Sequence, residues 1–347
     1  MKVIILGGGF CGSWVAKKLD SVKDLDVVII DTKEHFEYTP SIWKLLTDAS
    51  YQQRIIVPHV RYLKKGRVCT DPLSKVTPTA VETKNETIPF DYLVISTGID
   101  YPIFLNDTKN VFTVKSGAEV LAYHQKVSKT KSILIIGGGV IGTEVAAELS
   151  TRAPGKQITI VHPYHRLLER NTRWVSGYAK SFLEDRGVHI IFGEKIVRHE
   201  KNVFTTDTGR RLTADLGIWC AGIIWNPWFM KEFPPSIFSE RKALKVNHFL
   251  QLEGFPHIFV GGDINDVPEE KTAAAADRQA IYIATNLQRM ITGKKLVPYT
   301  PVTIPMDISL GLYDGIITFP PFMLPGGIPA LVKILVEKIA LKRLEFS

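Results

Sequence analysis

The sequence contains little cysteine. Cys11, Cys69 and Cys220 are the three cysteines among 347 residues, and no two of them form a C-x-x-C pair. Three cysteines cannot form a disulfide framework, which favours a reduced, intracellular compartment. Their spacing also argues against a structural zinc site and against a dithiol redox centre. We therefore expect no metal site.

The sequence also lacks a long apolar segment that could form one continuous helix. Residues 315–332 are uncharged, but they are interrupted by Gly326-Gly327 and by Pro320, Pro321, Pro325 and Pro329. A membrane-spanning helix needs about 20 consecutive apolar residues, so this segment does not predict one. The first residues run directly into a strand-like segment, Lys2–Leu6, without the charged region and cleavage site of a signal peptide. We expect a cytoplasmic protein.

The composition is that of a globular protein with a basic charge. Hydrophobic residues make up 45% of the chain and charged residues 22%, which excludes a disordered or fibrous protein. The length favours two or three domains. The net charge of +8 suits an anionic partner such as a nucleotide or a membrane surface. No stripe of basic and aromatic residues supports nucleic-acid binding.

One unit of about 30 residues occurs twice. In the first copy an apolar strand, Val3–Leu6, leads into the glycine turn Gly7–Gly12, and a helix-like run precedes a second strand, Val27–Ile30. The second copy repeats this succession over residues 133–161, with its glycine turn at Gly137–Gly142. Strand, glycine turn, helix and strand in this order predict a parallel βαβ unit.

Glycines at these positions suit the pyrophosphate of a dinucleotide. The phosphates bind at a helix N-terminus, where unpaired N–H groups and the helix dipole face their negative charge. Gly7 allows the tight turn, Gly9 lets the phosphate approach, and Gly12 lets the helix pack on the strand. A turn that binds no ligand is the alternative. In the second copy the same roles fall to Gly137, Gly139 and Gly142.

The residue that ends the second strand differs between the two copies. Asp31 follows Gly12 by 19 positions (31 − 12), where an acid can accept hydrogen bonds from a ribose diol. His162 holds the corresponding position in the second copy. A missing carboxylate removes repulsion against a 2′-phosphate, so we expect the second site to accept NADPH as well as NADH. Two basic residues just downstream favour this interpretation, His165 and Arg166.

Two dinucleotide sites in one chain imply that two dinucleotides meet. We expect FAD as the permanent cofactor and NADH or NADPH as the hydride donor, because the sequence offers no other redox centre. The predicted fold is α/β, with two Rossmann-like dinucleotide-binding domains and a C-terminal segment. The NAD(P)H-binding domain, 106–228, is inserted in the FAD-binding domain, 1–105 and 229–295. The C-terminal segment, 296–347, is expected to associate with a membrane or with a second subunit.

Several motifs carry a resemblance to a known family. The two GGGxxG turns, Ser96-Thr97-Gly98, Cys220-Ala221-Gly222 and Phe259–Asp263 resemble the two-dinucleotide-binding flavoprotein reductases. Within that superfamily the sequence is similar to type II NADH:quinone oxidoreductases, and most to the ferroptosis-suppressor and apoptosis-inducing-factor-like quinone reductases. Lys242–Asn247 together with Leu250–Gly254 is the most specific part. The resemblance covers residues 1–295.

The resemblance implies positions for the cofactor contacts. It places Lys44 near the flavin nucleotide, Val68 on the adenine side, and Thr97 and Gly98 near the domain crossover. Asp263 resembles the acid that hydrogen-bonds the ribityl chain. The other FAD contacts implied are Gly7, Gly9, Phe10, Gly12, Asp31 and Gly262. Those implied for the nicotinamide nucleotide are Gly137, Gly139, Gly142, His162 and Gly222.

Two further positions match residues that the family places beside the reacting rings. Glu144 matches a glutamate beside the nicotinamide, and Lys271 matches a lysine near the edge of the isoalloxazine. We therefore expect both to be catalytic. The alternatives are a first-turn acid favoured by the helix dipole for Glu144 and a solvated lysine for Lys271.

One departure from the superfamily, the lack of cysteines near the flavin, limits which electron acceptors are plausible. Its disulfide reductases carry a cysteine pair soon after the first acid, whereas residues 36–44 contain no cysteine. Sulfide:quinone reductases need a flavin-proximal cysteine in the C-terminal half, and no cysteine follows Cys220. Cys11, inside the phosphate turn, is interpreted as a small buried side chain. The missing cysteines argue against a dithiol acceptor and against a sulfide:quinone reductase, and the resemblance implies a quinone as the acceptor.

The C-terminal segment has the pattern of an amphipathic helix. Lys333 and Glu337 lie opposite an apolar stripe with i, i+3, i+4, i+7 spacing. Lys338, Lys342 and Arg343 flank that stripe and could reach lipid phosphates. A helix that packs into the core or forms a dimer is the alternative. The stripe consists of Ile328, Leu331, Val332, Leu335 and Ile339.

These observations predict an FAD-dependent NAD(P)H:quinone oxidoreductase of the non-proton-pumping type. We expect it to bind peripherally to the cytoplasmic face of a membrane, with a homodimer possible and no nucleic acid bound. One alternative is a soluble reductase of a small electron-transfer protein such as a ferredoxin or rubredoxin. The other is a non-catalytic module that senses nucleotides.

Overall fold

The computed structural model describes residues 1–345. The last two residues of the predicted segment 296–347 therefore lie outside the described residues. The strands are β1 Lys2–Leu6, β2 Asp26–Ile30, β3 His35–Glu37, β4 Ile56–Pro58, β5 Arg67–Cys69, β6 Leu73–Val76, β7 Ala80–Thr83, β8 Thr87–Pro89, β9 Tyr92–Ile95, β10 Val111–Thr113, β11 Ser132–Ile136, β12 Gln157–His162, β13 His189–Phe192, β14 Ile196–Glu200, β15 Val203–Thr206, β16 Arg211–Thr213, β17 Leu216–Trp219, β18 Gln251–Leu252, β19 Phe255–Val260, β20 Met306–Ser309, β21 Gly315–Phe319 and β22 Phe322–Gly326.

The α-helices alternate with these strands and cover the main sheets. They are α1 Phe10–Asp20, α2 Gln52–Ile55, α3 His59–Tyr62, α4 Gly117–Lys129, α5 Val140–Arg152, α6 Arg173–Glu184, α7 Ala273–Ile291 and α8 Gly327–Glu345. A 3₁₀ helix spans Thr39–Leu46, and shorter ones span Ala49–Tyr51, Trp228–Met230, Pro235–Ile237 and Gly262–Ile264.

The first main sheet has the strand order β18-β19-β9-β1-β2-β5. β1 pairs in parallel with β2 and β9, and β19 adds in parallel to β9. Residues 3–6 of β1 are almost completely buried, as expected for a parallel strand covered on both faces. This sheet joins strands from residues 2–95 with strands from residues 251–260, so the chain leaves the sheet and returns to it.

The second main sheet is formed by the chain between those two parts. Its five strands have the order β10-β17-β11-β12-β13, and every neighbouring pair is parallel. A three-stranded antiparallel sheet, β14-β15-β16, lies in the chain between β13 and β17. The predicted fold class is therefore confirmed: an α/β chain with two dinucleotide-binding sheets, one interrupting the other. The numerical domain boundaries stay predictions.

Two segments between the second sheet and the C-terminal segment differ in regularity. The segment after Thr272 forms the long helix α7, and the Thr272 side chain caps it by accepting from the N–H of Ala275 at 3.2 Å. The apolar segment Ala243–Val246, which alone would suit a strand, forms only isolated bridges, through Leu244 and Val246. Its apolar side chains are used for packing rather than for a continuous ladder.

The C-terminal segment forms a small antiparallel sheet, β20-β21-β22, followed by α8. Pro329 is tolerated because it stands in the first turn of α8, where its missing N–H would have no helical partner. Within residues 1–345, none of the helices has both the length and the apolarity that crossing a bilayer requires.

The helix α8 buries its charged face and exposes its apolar face, which is the reverse of an ordinary core-packing helix. Lys333 and Glu337 are buried against the rest of the protein. The exposed fractions of Leu331 and Leu335 are 67% and 55%. The prediction that the apolar and charged residues lie on opposite sides agrees with the structure. The alternative that the apolar stripe packs into the core is wrong.

Arg343 does not flank the apolar stripe as expected. Its guanidinium lies 4.3 Å from the centre of the Trp14 ring and 3.7 Å from the Asp277 carboxylate. This side chain therefore fastens the end of α8 to α1 and α7. Lys338 and Lys342 remain exposed, as the sequence predicts.

Candidate functional site

The first glycine turn leaves an open space at the N-terminus of α1. Gly7 has φ +91°, and a Cβ there would lie 2.5 Å from the Ser96 carbonyl oxygen. A Cβ on Gly9 would meet nothing within 4 Å. No side chain caps the helix that begins at Phe10. The first N–H groups of α1 therefore face a space in which an anion fits.

The other contacts of this turn agree with the spacing argument. A Cβ on Gly12 would lie 1.9 Å from the Gly7 carbonyl oxygen, so only glycine permits this approach of helix and strand. The Asp31 carboxylate, at the end of β2, accepts hydrogen bonds from the N–H of Gly8 and, at 2.9 Å, from that of Lys33. The acid is thus held beside the turn, where a ribose would follow the pyrophosphate.

The second turn repeats this geometry. Gly137 has φ +110°, a Cβ on Gly139 would meet nothing within 4 Å, and a Cβ on Gly142 would lie 1.9 Å from the Gly137 carbonyl oxygen. No side chain caps α5. His162 Nδ1 accepts from the N–H of Gly138 at 3.0 Å, as Asp31 accepts from Gly8. Both turns therefore fit a dinucleotide pyrophosphate.

The cation expected beside the second ribose is not available. The Arg166 guanidinium donates to the carbonyl oxygens of Glu169 and Asn171 and to Ser176 Oγ, so it holds its own loop. His165 is exposed. The Glu169 carboxylate lies 3.2 Å from His162 Nε2, which brings a negative charge to a place where the sequence predicted none.

Three further glycines predicted to contact the cofactors follow parallel strands. Gly98 follows β9, Gly222 follows β17 and Gly262 follows β19, with φ of +73°, +74° and +76°. Thr97 is exposed beside Gly98. All three turns lie at the carboxyl ends of their strands, the edge at which open α/β sheets bind ligands.

The remaining predicted contacts of the flavin nucleotide lie around the first sheet. Val68 is half-buried on β5 and pairs with Ile29 of β2. The Phe10 ring packs edge-on against Phe36, with centroids 5.0 Å apart.

Asp263 and Lys271 form a charged group beyond β19. Lys271 Nζ donates to the carbonyl oxygens of Asn265 and Val267 at 2.9 and 3.1 Å and to Asn265 Oδ1 at 3.2 Å. Burial lowers the pKa of Lys271, while Asp263 opposes this shift. Burial raises the pKa of Asp263, and Lys271 lowers it. Lys271 Nζ is thus held in place by three hydrogen bonds to protein oxygens, so Lys271 is not a solvated lysine.

Glu144 forms a buried ion pair with the C-terminal helix. Its carboxylate accepts from Lys333 Nζ and, at 2.9 Å, from the N–H of Ser309. The exposed fractions of the Glu144 and Lys333 side chains are 6% and 8%. Lys333 Nζ also lies 3.3 Å from the carbonyl oxygen of Asp307. The pair joins α5, in the second nucleotide unit, to α8.

Glu337 makes the corresponding contacts with the first nucleotide unit. Its carboxylate accepts from Ser41 Oγ and Tyr51 Oη and lies 3.4 Å from Lys44 Nζ. Lys44 also donates to Tyr51 Oη at 2.8 Å. Burial lowers the pKa of Lys44, while Glu337 raises it. Lys44 therefore lies in a network with α8, which the resemblance alone did not indicate.

Lys333 and Glu337 are the site residues that sequence reasoning missed. They were recognised only as the polar side of an amphipathic helix. Two opposite charges four positions apart on a helix usually indicate an exposed pair. Burial beside Glu144 and Lys44 required the tertiary fold.

One group of potential metal ligands occurs in the described part of the chain. Cys69, Asp71 and Glu86 lie close enough together to approach one ion. Glu86 already pairs with Arg67 at 2.7 Å, and Asp71 accepts from Asn85 at 2.7 Å. These partners satisfy the carboxylates, so we assign no metal to the group.

The fold and the two equivalent turns define a class of protein: a two-dinucleotide oxidoreductase. A family model described as "Pyridine nucleotide-disulphide oxidoreductase" matches residues 1–280. The chain belongs to this family and is an NAD(P)H oxidoreductase. The family assignment also bears out the predicted cofactors, FAD with NADH or NADPH.

Several characterised proteins are similar over nearly the whole chain. Apoptosis-inducing factor homolog B of Dictyostelium discoideum is 29% identical, covering 94% of this chain and 91% of its own. Ferroptosis suppressor protein 1 of Taeniopygia guttata is 28% identical, covering 91% and 88%. A type II NADH:quinone oxidoreductase of Staphylococcus haemolyticus is 26% identical, covering 91% and 89%. The predicted resemblance is thereby confirmed.

Solved structures show the same fold at low identity. The sulfide:quinone oxidoreductase of Aquifex aeolicus superposes with a TM-score of 0.87 at 18% identity, covering 99% of this chain and 91% of its own. NDH2 of Plasmodium falciparum in complex with NADH superposes with a TM-score of 0.86 at 17% identity, covering 99% and 97%.

A side chain at Gly139 tests the second turn. Gly139→Val adds atoms only to open space, so we expect folding to be unchanged. The same atoms fill the volume beside the first N–H groups of α5, so NADH binding should weaken at least roughly tenfold, the equivalent of about 1.4 kcal/mol. Titration by fluorescence measures this. Gly177→Val, also in open space but on α6, is the matched control and should bind NADH normally.

The ion pair between Glu144 and Lys333 can be tested by a double-mutant cycle. Glu144→Gln or Lys333→Met alone leaves one buried charge unpaired, and each should cost about 3–5 kcal/mol of folding free energy. The double variant removes both charges and should regain most of that loss. Chemical denaturation measures the four free energies of unfolding. Additive losses would show that the two side chains do not interact.

Proposed function

We propose that the protein is an FAD-dependent NAD(P)H:quinone oxidoreductase of the type II, non-proton-pumping kind. The residues of the two glycine turns would hold FAD and the nicotinamide nucleotide, and bound FAD would supply the redox chemistry, in which a hydride from NAD(P)H and one proton from solvent convert the quinone to its quinol. The observation that carries this proposal is the pair of equivalent glycine turns in one chain that offers no dithiol acceptor. The following residues supply binding, orientation and charge.

The first nucleotide unit would hold FAD. The open N-terminus of α1 behind Gly9 would bind its pyrophosphate, and Asp31 would accept from the ribose. Gly98 and Asp263 lie at the carboxyl edge of the same sheet, toward which the flavin would extend. The second unit would bind NADH in the same manner at Gly139. Catalysis then rests largely on holding the two rings together.

The charged residues would act at the reacting end of the site. Lys271 would stabilise negative charge on the reduced cofactor through its fixed positive charge, because its three hydrogen bonds are made to protein oxygens. Glu144 would orient the nicotinamide, with Lys333 holding its carboxylate in place.

The cysteines do not form an alternative acceptor. All three thiols are free. Burial raises the pKa of Cys11 above its ordinary range and that of Cys220 to about 12, so neither is a thiolate at neutral pH. Cys69 lies apart on β5. This supports a small molecule rather than a protein dithiol as the acceptor.

The outward face of α8 suits a lipid surface. The exposed fractions of Ile328, Leu331, Leu335 and Ile339 are 62%, 67%, 55% and 47%. The neighbouring strands β21 and β22 expose Phe319, Phe322 and Leu324. Lys338 and Lys342 lie on the same side and could pair with lipid phosphates. We propose that this face rests on the membrane from which the quinone is taken; attachment to the cytoplasmic side remains a prediction.

Anaerobic reduction tests the proposed reaction. Addition of NADH to the purified yellow protein should bleach the flavin absorption, and a ubiquinone analogue added afterwards should restore it. Bleaching that is restored by a ferredoxin but not by quinones would favour the soluble-reductase alternative. Nucleotide binding without any bleaching would favour the sensing module. A protein that stays colourless after incubation with FAD would contradict the proposal.

Vesicle binding tests the proposed membrane face. Leu331→Glu with Leu335→Glu places two charges on the exposed stripe, so co-sedimentation with anionic vesicles should fall at least roughly tenfold, since each lost apolar side chain contributes about 1.5–3 kcal/mol when fully buried. Reduction of flavin by NADH should persist. Val60→Glu with Val302→Glu, two exposed sites outside α8, is the control. Unchanged sedimentation together with loss of a dimer would assign the face to a second subunit.

A further inference from the structure

The two glycine turns differ in the group that faces the adenosine ribose. In the first turn, the Asp31 carboxylate accepts a hydrogen bond from the N–H of Gly8 and lies beside the position that a ribose would occupy. In the second turn, His162 Nδ1 accepts a hydrogen bond from the N–H of Gly138 at 3.0 Å. A neutral imidazole whose Nδ1 accepts a hydrogen bond carries its proton on Nε2. His162 therefore fills the structural place of Asp31 without supplying its negative charge.

The missing charge is supplied from a later position in the chain. The Glu169 carboxylate lies 3.2 Å from His162 Nε2. Glu169 follows Gly142 by 27 positions (169 − 142) rather than the usual distance of about 20. Its side chain is 28% exposed, whereas that of His162 is 4% exposed. The Glu169 side chain is thus partly exposed, whereas its Oε2 atom, which faces the imidazole, is buried.

The loop that carries Glu169 is fixed over the second turn. Leu168 has φ +52°, and its N–H donates to the carbonyl oxygen of Gly138 at 2.9 Å. The Arg166 guanidinium donates to the carbonyl oxygens of Glu169 and Asn171 from the inner side of the loop. The same contacts that place Glu169 therefore occupy the cation that could have paired with a 2′-phosphate.

We propose that Glu169 is the specificity-determining residue of the nicotinamide nucleotide site and that it selects NADH against NADPH. Its carboxylate, oriented by His162, accepts hydrogen bonds from the diol of the adenosine ribose. A 2′-phosphate would bring about two negative charges against this carboxylate. The inference rests on the proposed function in that it takes this site to bind a nicotinamide dinucleotide. It differs from the interpretation of the sequence, which left both NADH and NADPH open.

Direct binding of NAD⁺ and NADP⁺ separates this inference from the proposed reaction. Calorimetric titration of the FAD-containing protein should give at least tenfold tighter binding of NAD⁺. In Glu169→Gln the ratio of the two dissociation constants should shift at least fivefold toward NADP⁺. Glu169→Asp, which keeps the charge, should retain most of the preference. Glu184→Gln, an exposed acid of α6 that pairs with Lys180, should behave like the unmodified protein.

Each result bears on the inference whether or not quinones are reduced. Equal affinities in the unmodified protein, a preference for NADP⁺, or a ratio unchanged in Glu169→Gln would overturn it. Absence of binding by either nucleotide would overturn it together with the proposed function. Normal selectivity combined with failure to reduce quinones would overturn only the proposed acceptor. Thermal unfolding of each variant shows whether the loop substitution has altered the fold.

Discussion

The buried pair of Glu144 and Lys333 is the interaction on which the arrangement of the site depends. Glu144 is the fifth residue of α5, the helix that follows the second glycine turn, and Lys333 comes from the C-terminal helix. Two charges removed from water are stable only when they face each other with good geometry. The pair therefore fixes α8 over the second nucleotide unit. Glu337 of the same helix anchors α8 to the first nucleotide unit through its ion pair with Lys44.

This arrangement explains why the C-terminal helix has its apolar side outward. The inward positions are required for charged contacts with both nucleotide units, so the apolar residues remain on the outside. An exposed apolar face of this kind indicates an interaction surface, because isolated soluble proteins rarely expose a large contiguous apolar patch. Under the proposed function, the helix serves two environments at once: charged residues toward the redox site and apolar residues toward the lipid that contains the quinone.

The two copies of the nucleotide unit use the same backbone geometry, each to bind a different dinucleotide under the proposed function. In both copies the glycines are required by approaches of backbone to backbone that no Cβ would permit, as at Gly12 and Gly142. The difference between the copies lies in the side chain at the end of the second strand. Asp31 combines a structural contact with a charge. The second copy divides these tasks between His162 and Glu169.

The sequence by itself determined the fold class, the two turns and the apolar stripe of the C-terminal helix, because these depend on local spacing: glycines after a strand, and apolar residues at helical intervals. That the stripe is exposed was decided by the structure. The sequence could not determine that Ala243–Val246 forms only bridges, that Arg343 binds Asp277, or that Lys44 meets Glu337. The contacts of Arg343 and Lys44 join residues 66 and 293 positions apart (343 − 277 and 337 − 44). A charge also has the same local pattern whether it is solvated or buried. The tertiary structure alone decided that Lys333 pairs with Glu144, because that contact depends on how distant segments pack. It also decided that Glu169 lies beside His162, because that contact depends on how the loop after β12 folds back over the second glycine turn.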